Sequence, residues 1–398
     1  VSTSASPLTA AAGLGEVLQL FRGRPSLTRA DVMQLTGLSR STVNQRLDAL
    51  LGAALVVPSG EGSSTGGRPA SRFTFHRDRG VLLVADIGAT GMRTALCDLR
   101  GEVLAERERT IDVADGPGPV LSAADSQFRE LLSEAGRDAG EVFGIGIDVP
   151  GPVDFDSGQV VSPPIMSGWD RYDIPGWFAG RYACPVLVDK DVNAMALGEQ
   201  RTFYPDVRQM LMVKAGTGVG AGMILGGEVY RGADGAAGDI GHIQVTVEDA
   251  EVEPVCRCGN TGCVEAYAGG WALVRDLRAA GKEVTTVDDA VALIRTGDVT
   301  AVRLARRAGR IIGHAIADSV SLVNPRVVVI GGQLARIEEQ LFAGIREMVY
   351  RRSLPLATRS LQIVATRLDN RSGLVGLALL LADGIFAPER VEALVARG

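Results

Sequence analysis

Long hydrophobic runs are what this sequence most clearly lacks. Apolar runs such as Val81–Val84 and Leu377–Ala382 stop far short of the roughly 20 residues a membrane-crossing helix needs, which excludes a span of that kind. The N-terminus is rich in Ser and Ala and carries no basic-then-apolar signal pattern. The expectation is a soluble, cytoplasmic chain with no membrane contact. Histidine and cysteine are scarce too, three and five in 398 residues, which speaks against a secreted disulfide framework. Lysine is missing from the first eighty residues, yet these hold nine Arg against five acids, about +4. The whole chain carries −6, so the remainder carries about −10. A basic front on an acidic body implies that only the front meets a polyanion. Apolar residues are abundant at 46%, enough for two or three units with cores of their own.

In the front piece, Leu14, Val17, Leu18 and Phe21 recur at helical spacing. Thr28 is placed to cap a helix over Arg29–Leu35, and Gly37 ends it. Ser39 starts another, in which Val43, Leu47, Leu50 and Leu51 form one apolar stripe. Arg40, Ser41, Thr42, Asn44 and Gln45 lie off that stripe near the helix start. A helix, a tight turn and a second helix with a hydrogen-bonding tip is the arrangement that enters a DNA major groove and reads base edges. Ala54–Val57 and Arg72–Phe75 read as two short strands around a flexible loop, a wing. Its Gly66-Gly67-Arg68-Pro69 can lay Arg68 in a minor groove, although alone the segment reads equally as a linker.

From Val81 the texture changes to alternating strands and helices. The strand Val81–Asp86 runs into Ile87-Gly88-Ala89-Thr90-Gly91 and a return strand over Thr94–Leu99, a hairpin whose turn can approach a phosphate closely. Asp86 at its base can hold Mg²⁺ through water, and Thr90 can bond a phosphate oxygen. A second glycine-rich turn, Gly216-Thr217-Gly218 with Gly220 and Gly222, follows the strand Met210–Val213. A third, Gly331-Gly332, follows Val327–Ile330. One such turn is usually only a turn; three, the first with an Asp-x-Gly-x-Thr, point to nucleotide. Asp191 follows a strand and precedes a helix, which suits a general base for a sugar hydroxyl or a plain helix cap.

Cys256-x-Cys258-x₄-Cys263 with His242 upstream supplies four ligands, the count of a closed tetrahedral zinc site, with Gly259 and Gly262 letting the chain fold round the ion. Cys97 and Cys184 stand in apolar settings and read as small core residues. His76 and His314 read as structural.

Together these residues resemble the ROK family of repressors, open reading frames and kinases. The resemblance rests on Thr-Gly-Leu-Ser-Arg-Ser-Thr-Val at 36–43, Gly-Gly-Arg-Pro at 66–69, Asp-Ile-Gly-Ala-Thr at 86–90 and Val-Pro-Gly-Pro-Val-Asp at 149–154. It continues through Asp191 with Asn193, the glycine loop at 216–222, the Cys stretch with Glu265, and Asn324-Pro325 before Gly331-Gly332. It implies an α/β, actin-like (ribonuclease H-like) two-lobed sugar-kinase fold behind a winged helix-turn-helix. The expected division is 1–78 for the DNA head and linker, 79–194 for the first lobe and 195–370 for the second lobe with the zinc site, while a helix in 371–398 packs back on the first lobe. The resemblance further implies a homodimer or dimer of dimers. Asp191 falls on the catalytic base, His242 on the zinc ligand beside the sugar, and Glu265 on a sugar-hydroxyl acceptor. Asp86, Gly88, Thr90, Gly216, Thr217 and Gly218 fall on the phosphate loops, and Gly331 and Gly332 on the adenosine side.

Three positions depart from the family's kinases. Lys190 stands where Asn is usual, Asp239 where Glu is usual, and Pro163-Pro164-Ile165-Met166 where a sugar-binding Asn is common. All three belong to the sugar site. An ammonium at Lys190 beside Asp191 would lower that carboxylate's basicity and attract a sugar phosphate or sugar acid. If Lys190 pairs with an acid outside the pocket, a neutral sugar is expected instead. The sugar set is thus Lys190, Asp191, Asp239, His242 and Glu265. The function expected is a sugar-responsive regulator that binds operator DNA. The alternative is an ATP- and Mg²⁺-dependent sugar kinase that has kept a DNA head.

Overall fold

Short polar and glycine signals set the geometry of the first unit. In the computed structural model, which describes residues 12–61, 70–247 and 252–397, α1 spans Leu14–Arg22 and buries Val17, Leu18 and Phe21. A two-residue strand, β1 (Leu27–Thr28), leads into α2 (Arg29–Thr36). The Thr28 hydroxyl accepts from the Asp31 N–H while Asp31 accepts from the Thr28 N–H, a reciprocal cap that satisfies two otherwise unpaired donors. Gly37, at φ +69°, takes the left-handed conformation that ends α2 and costs little without a Cβ. The Ser39 hydroxyl then caps α3 (Arg40–Gly52), whose Val43, Leu47 and Leu50 are fully buried. Strands β2 (Val56–Glu61) and β3 (Ser71–Phe75) pair antiparallel, with β1 on the other side of β3. This is a winged helix-turn-helix; residues 62–69, including Arg68, lie outside the described residues.

Two five-stranded sheets follow, built to one plan. The first holds β4 (Val81–Ile87), β5 (Gly91–Cys97) and β6 (Val103–Thr110) as an antiparallel meander. After α4 (Pro117–Glu134) comes β7 (Val142–Val149), parallel to β4. A small hairpin, β8 (Val153–Asp154) and β9 (Gln159–Val160), and α5 (Ile174–Ala179) precede β10 (Val186–Lys190), parallel to β7. The order is β10-β7-β4-β5-β6. Helix α6 (Asp191–Phe203) crosses to the second sheet, whose meander is β11 (Gln209–Ala215), β12 (Val219–Leu225) and β13 (Glu228–Tyr230). Helices α7 (Val264–Ala268), α8 (Gly270–Ala279), α9 (Val287–Arg295) and α10 (Val299–Val323) precede β14 (Val327–Gly331). Then come α11 (Glu338–Arg352), α12 (Pro355–Thr358) and β15 (Gln362–Ala365). The second order, β13-β12-β11-β14-β15, repeats the first as meander plus two parallel strands. Each half thus presents strand ends and a glycine hairpin to the same cleft, the place where open α/β sheets bind ligands.

The chain closes with α13 (Ser372–Ile385) and α14 (Pro388–Arg397). Helix α13 lies across α6, and a Cβ on Gly376 would stand 1.7 Å from the Ala194 carbonyl oxygen, so the crossing exists only because that residue is glycine. Its Leu374, Leu377 and Leu381 pack under β4 with Leu82 and Val84. Helix α14 packs along α1 of the DNA head. The head is also tied to the end of α13 by Gln19, whose amide donates to the Phe386 carbonyl at 2.5 Å, and by an Arg22–Asp383 ion pair of 3.0 Å. Phe75 meets the Phe386 ring edge-on at 5.2 Å. Head and first lobe therefore share one apolar core. Among the described residues no helix is long and apolar enough to cross a membrane.

Candidate functional site

The head presents its polar residues as their spacing requires. Arg40, Ser41 and Gln45 are exposed and Thr42 and Asn44 half-buried, all off the Val43–Leu47–Leu50 stripe. The Ser39 hydroxyl lies 2.8 Å from the Ser41 hydroxyl and 2.9 Å from that of Thr42, so the helix tip is internally braced. Arg29 ties α2 to α3 through Asp48 at 3.2 Å and stacks on Phe73 of β3 at 4.8 Å.

Three cysteines and a histidine meet in the second lobe. The ligand atoms of His242, Cys256, Cys258 and Cys263 all lie within 4.8 Å of one another. The Cys256 Sγ is 3.7 Å from His242 Nδ1, and the Cys258 and Cys263 sulfurs are 3.8 Å apart. A tetrahedron with metal–sulfur bonds of ~2.3 Å has edges of about 3.8 Å, so the spacing fits a metal of zinc's preference. Without an ion, burial raises the Cys256 and Cys263 thiols; burial opposes ionisation of Cys258 too, yet the Asn260 N–H and the neighbouring sulfurs pull it below its ordinary range. Cys263 also stands immediately before α7, whose first turn carries Glu265. The other two cysteines differ: Cys97 is fully buried, whereas Cys184 is only half-buried. His76 bonds the Ala54 carbonyl at 3.0 Å and His314 bonds Arg352 at 2.9 Å, both away from the cleft.

The cleft between the lobes has a volume of about 2190 Å³. Asp86, Gly88 and Thr90 line it from the first lobe, and Gly216, Thr217 and Gly218 from the second. Gly332 reaches it, but Gly331 does not; it sits inside β14 beneath Met195 and Met212. Lys190, Asp191, Asp239, His242 and Glu265 all line it as well. The register of three parallel strands places Asp86, Asp148 and Asp189 side by side, a row of carboxylates at the strand ends. Burial raises Asp86 and, with the charges of Asp86 and Asp191 added, raises Asp148 further.

Of the two placements expected for Lys190 the structure matches neither in full: Lys190 lines the cleft without bonding Asp191, and its acidic partner, Asp239, lines the cleft too. Its ammonium does not compete for Asp191. It donates to Asp239 at 2.5 Å and to the Ala237 carbonyl at 3.2 Å. The partner of Asp191 is Lys214 on β11, a residue that the sequence motifs did not mark. Asp191 is not a cap either, since Lys190 occupies the cap position of α6. Asp189, next in the row, is held by Arg231 at 2.6 and 3.0 Å. Three consecutive residues of the first lobe are thus each paired with an opposite charge from the second. Two of the chain's three lysines are spent in this one place. A further residue was missed: the Trp271 indole N–H donates to Glu265 at 3.3 Å, while the Val219 N–H donates to its other oxygen at 3.0 Å. Arg257 of the cysteine loop and Arg275 both stack on Trp271, so the cysteine cluster, Glu265 and the second glycine loop are linked.

Comparison with known proteins agrees with this geometry. A family model described as "ROK family" matches residues 83–384. A putative xylose repressor of Caldicellulosiruptor sp. is 30% identical over 94% of this chain and 96% of its own. Among solved structures, a ROK family transcriptional regulator described as a homologue of the E. coli MLC protein covers 97% of this chain and 99% of its own, with a TM-score of 0.81 at 26% identity. A ROK family glucokinase from Streptomyces griseus, in complex with glucose and AMPPNP, covers 77% of this chain and 100% of its own, with a TM-score of 0.66 at 29% identity.

Proposed function

The chain belongs to the ROK family, and on that premise we propose that it is a sugar-responsive, DNA-binding transcriptional repressor whose Cys₃His cluster holds a structural zinc ion. The glucokinase-like part accounts for 77% of the chain, and the similar repressor extends over 94%, so the head is what separates the two relatives. The observation that carries the reading is the course of α13. At one end Gly373 lies against Asp86 in the cleft, where a Cβ would come within 2.5 Å of the carboxylate. At the other end Asp383 and Phe386 hold the DNA head. A lobe movement that shifts α6 and α13 is therefore passed to α1 through packed side chains rather than a loose linker.

The ligand that fits is a neutral sugar. Lys190 is already neutralised by Asp239, and Asp191 by Lys214, so an anion would have to break an ion pair to gain a charge partner. Sugar hydroxyls can instead join both members of each pair. Asp191, Asp239 and Glu265 supply the acceptors, His242, with Nδ1 turned to the cysteines, offers its Nε2–H as a donor, and zinc would fix His242 and the Glu265 helix relative to each other. A homodimer reading an inverted repeat is the assembly such heads require. Calorimetry on the full chain tests the ligand class: neutral pentoses or hexoses should bind, and Asp239→Asn should weaken binding by about tenfold, the loss of one charged hydrogen bond. Binding confined to sugar acids or sugar phosphates would contradict this reading.

A further inference from the structure

We propose that Lys214 shuts the phosphate half of the cleft to a magnesium–nucleotide, so that this chain binds sugar without phosphorylating it. The inference rests on the proposed sugar site, since the Asp191–Lys214 pair also bears on the sugar's charge, but its magnesium readout depends neither on sugar binding nor on DNA binding.

The strand β11 is otherwise apolar where it is covered. Met210, Leu211, Met212, Val213 and Ala215 are buried, and Lys214 is the single charge among them, two residues before the Gly216 loop. Its side chain is only a quarter exposed and forms an ion pair with Asp191. Burial works against its charge, but Asp191, Asp86 and Asp148 together outweigh that cost and hold the ammonium above its usual range. One fixed cation therefore pairs directly with Asp191 and stands in the field of Asp86 and Asp148, which the sheet register sets side by side.

Phosphoryl transfer in such a cleft makes two demands. A divalent cation must bridge the nucleotide phosphates, held near the phosphate loops by carboxylates. A carboxylate must also be free to take the proton of the attacking hydroxyl. Lys214 opposes both. A magnesium ion beside Asp86 would stand next to a fixed positive charge that already occupies the same field. Both Asp191 carboxylate oxygens are already engaged, one by the Lys214 ammonium and the other by the Val192 N–H, so neither is free to receive that proton. The glycine loops can still approach phosphate, yet the residues between them do not fit the metal. The loops Asp86–Thr90 and Gly216–Gly218 thus survive as framework for lobe closure.

The test uses the full-length protein and a non-hydrolysable ATP analogue, titrated calorimetrically in magnesium-free buffer and again with magnesium added, alongside an assay of sugar-dependent ADP release. The wild type should show no more than a twofold effect of magnesium on affinity and no ADP release above background. Lys214→Thr, shown to be folded by circular dichroism, should gain at least a tenfold magnesium effect. Lys214→Gln, which removes the charge and keeps a hydrogen-bonding group for Asp191, serves as a second neutral variant if the first does not fold. A wild-type protein whose affinity rises tenfold with magnesium, or that releases ADP with any sugar, overturns the proposal whatever the variants do. So does a folded neutral variant that gains no magnesium effect.

Discussion

Replacing Asn44 and Gln45 together by alanine is expected to abolish sequence discrimination by the DNA head. Both residues stand off the buried Val43–Leu47–Leu50 stripe, so the fold of the head should persist. Each bidentate contact from such side chains to a base edge contributes about 1–3 kcal/mol of discrimination. Losing two per head lowers affinity for the preferred site by roughly thirtyfold or more, while contacts from Arg40 and other basic residues to phosphates keep the affinity for arbitrary DNA. The measurement is fluorescence anisotropy with a duplex selected from a random pool by the wild type, against a scrambled duplex of equal length. The ratio of the two affinities should fall towards one in the variant. An unchanged ratio would place base reading elsewhere on the molecule.

The second large effect is expected at the metal cluster. Wild-type protein should contain about one zinc ion per chain by elemental analysis, and Cys258→Ser should lose it. A closed site of this kind contributes its binding energy to folding, and the described residues of the segment it organises, 239–247 and 252–265, have little secondary structure of their own. A fall in melting temperature of ~10 °C is the expected size for a loss of several kcal/mol in a domain of this length. Sugar binding should vanish with it, because Glu265 depends on Cys263 for the start of α7 and on Trp271 for its orientation. A Cys258→Ser chain with unchanged melting and unchanged sugar affinity would show that the four residues are only core.

These two sites were legible in the sequence because their signals are local. The Thr28 and Ser39 caps, the Gly37 break and the stripe on α3 all act within a few residues, and the structure places each as its spacing requires. The same holds for the cysteine stretch and the glycine hairpins. The cleft's charge pairing was not legible, because it depends on which strand ends face each other. Lys190 follows Asp189 and precedes Asp191, so proximity in sequence suggested that it modulates Asp191; the chain instead turns from β10 into α6 there and sends the lysine to Asp239. Lys214 did leave a trace, a lone charge in an apolar strand, and a partly buried charge is a more informative anomaly than any glycine turn. The contact of α1 with α14 joins residues nearly the whole chain apart, and no local pattern announces it. Gly331 was placed at the adenosine side with Gly332, but Gly331 is the last residue of β14, packed beneath Met195 and Met212, and only Gly332, past the strand end at φ +87°, reaches the cleft.

The central claim is that occupancy of the cleft sets the affinity of the head for DNA. The direct measurement is the anisotropy of a labelled, selected operator duplex titrated with the wild-type chain, with and without a saturating neutral sugar identified by calorimetry. Sugar should weaken operator binding by about a hundredfold, a coupling of ~2.7 kcal/mol, within the range that differential binding to two lobe arrangements supplies. Asp239→Asn should shift the effect to proportionally higher sugar concentration without changing operator affinity in its absence. Equal operator affinity with and without bound sugar would contradict the account.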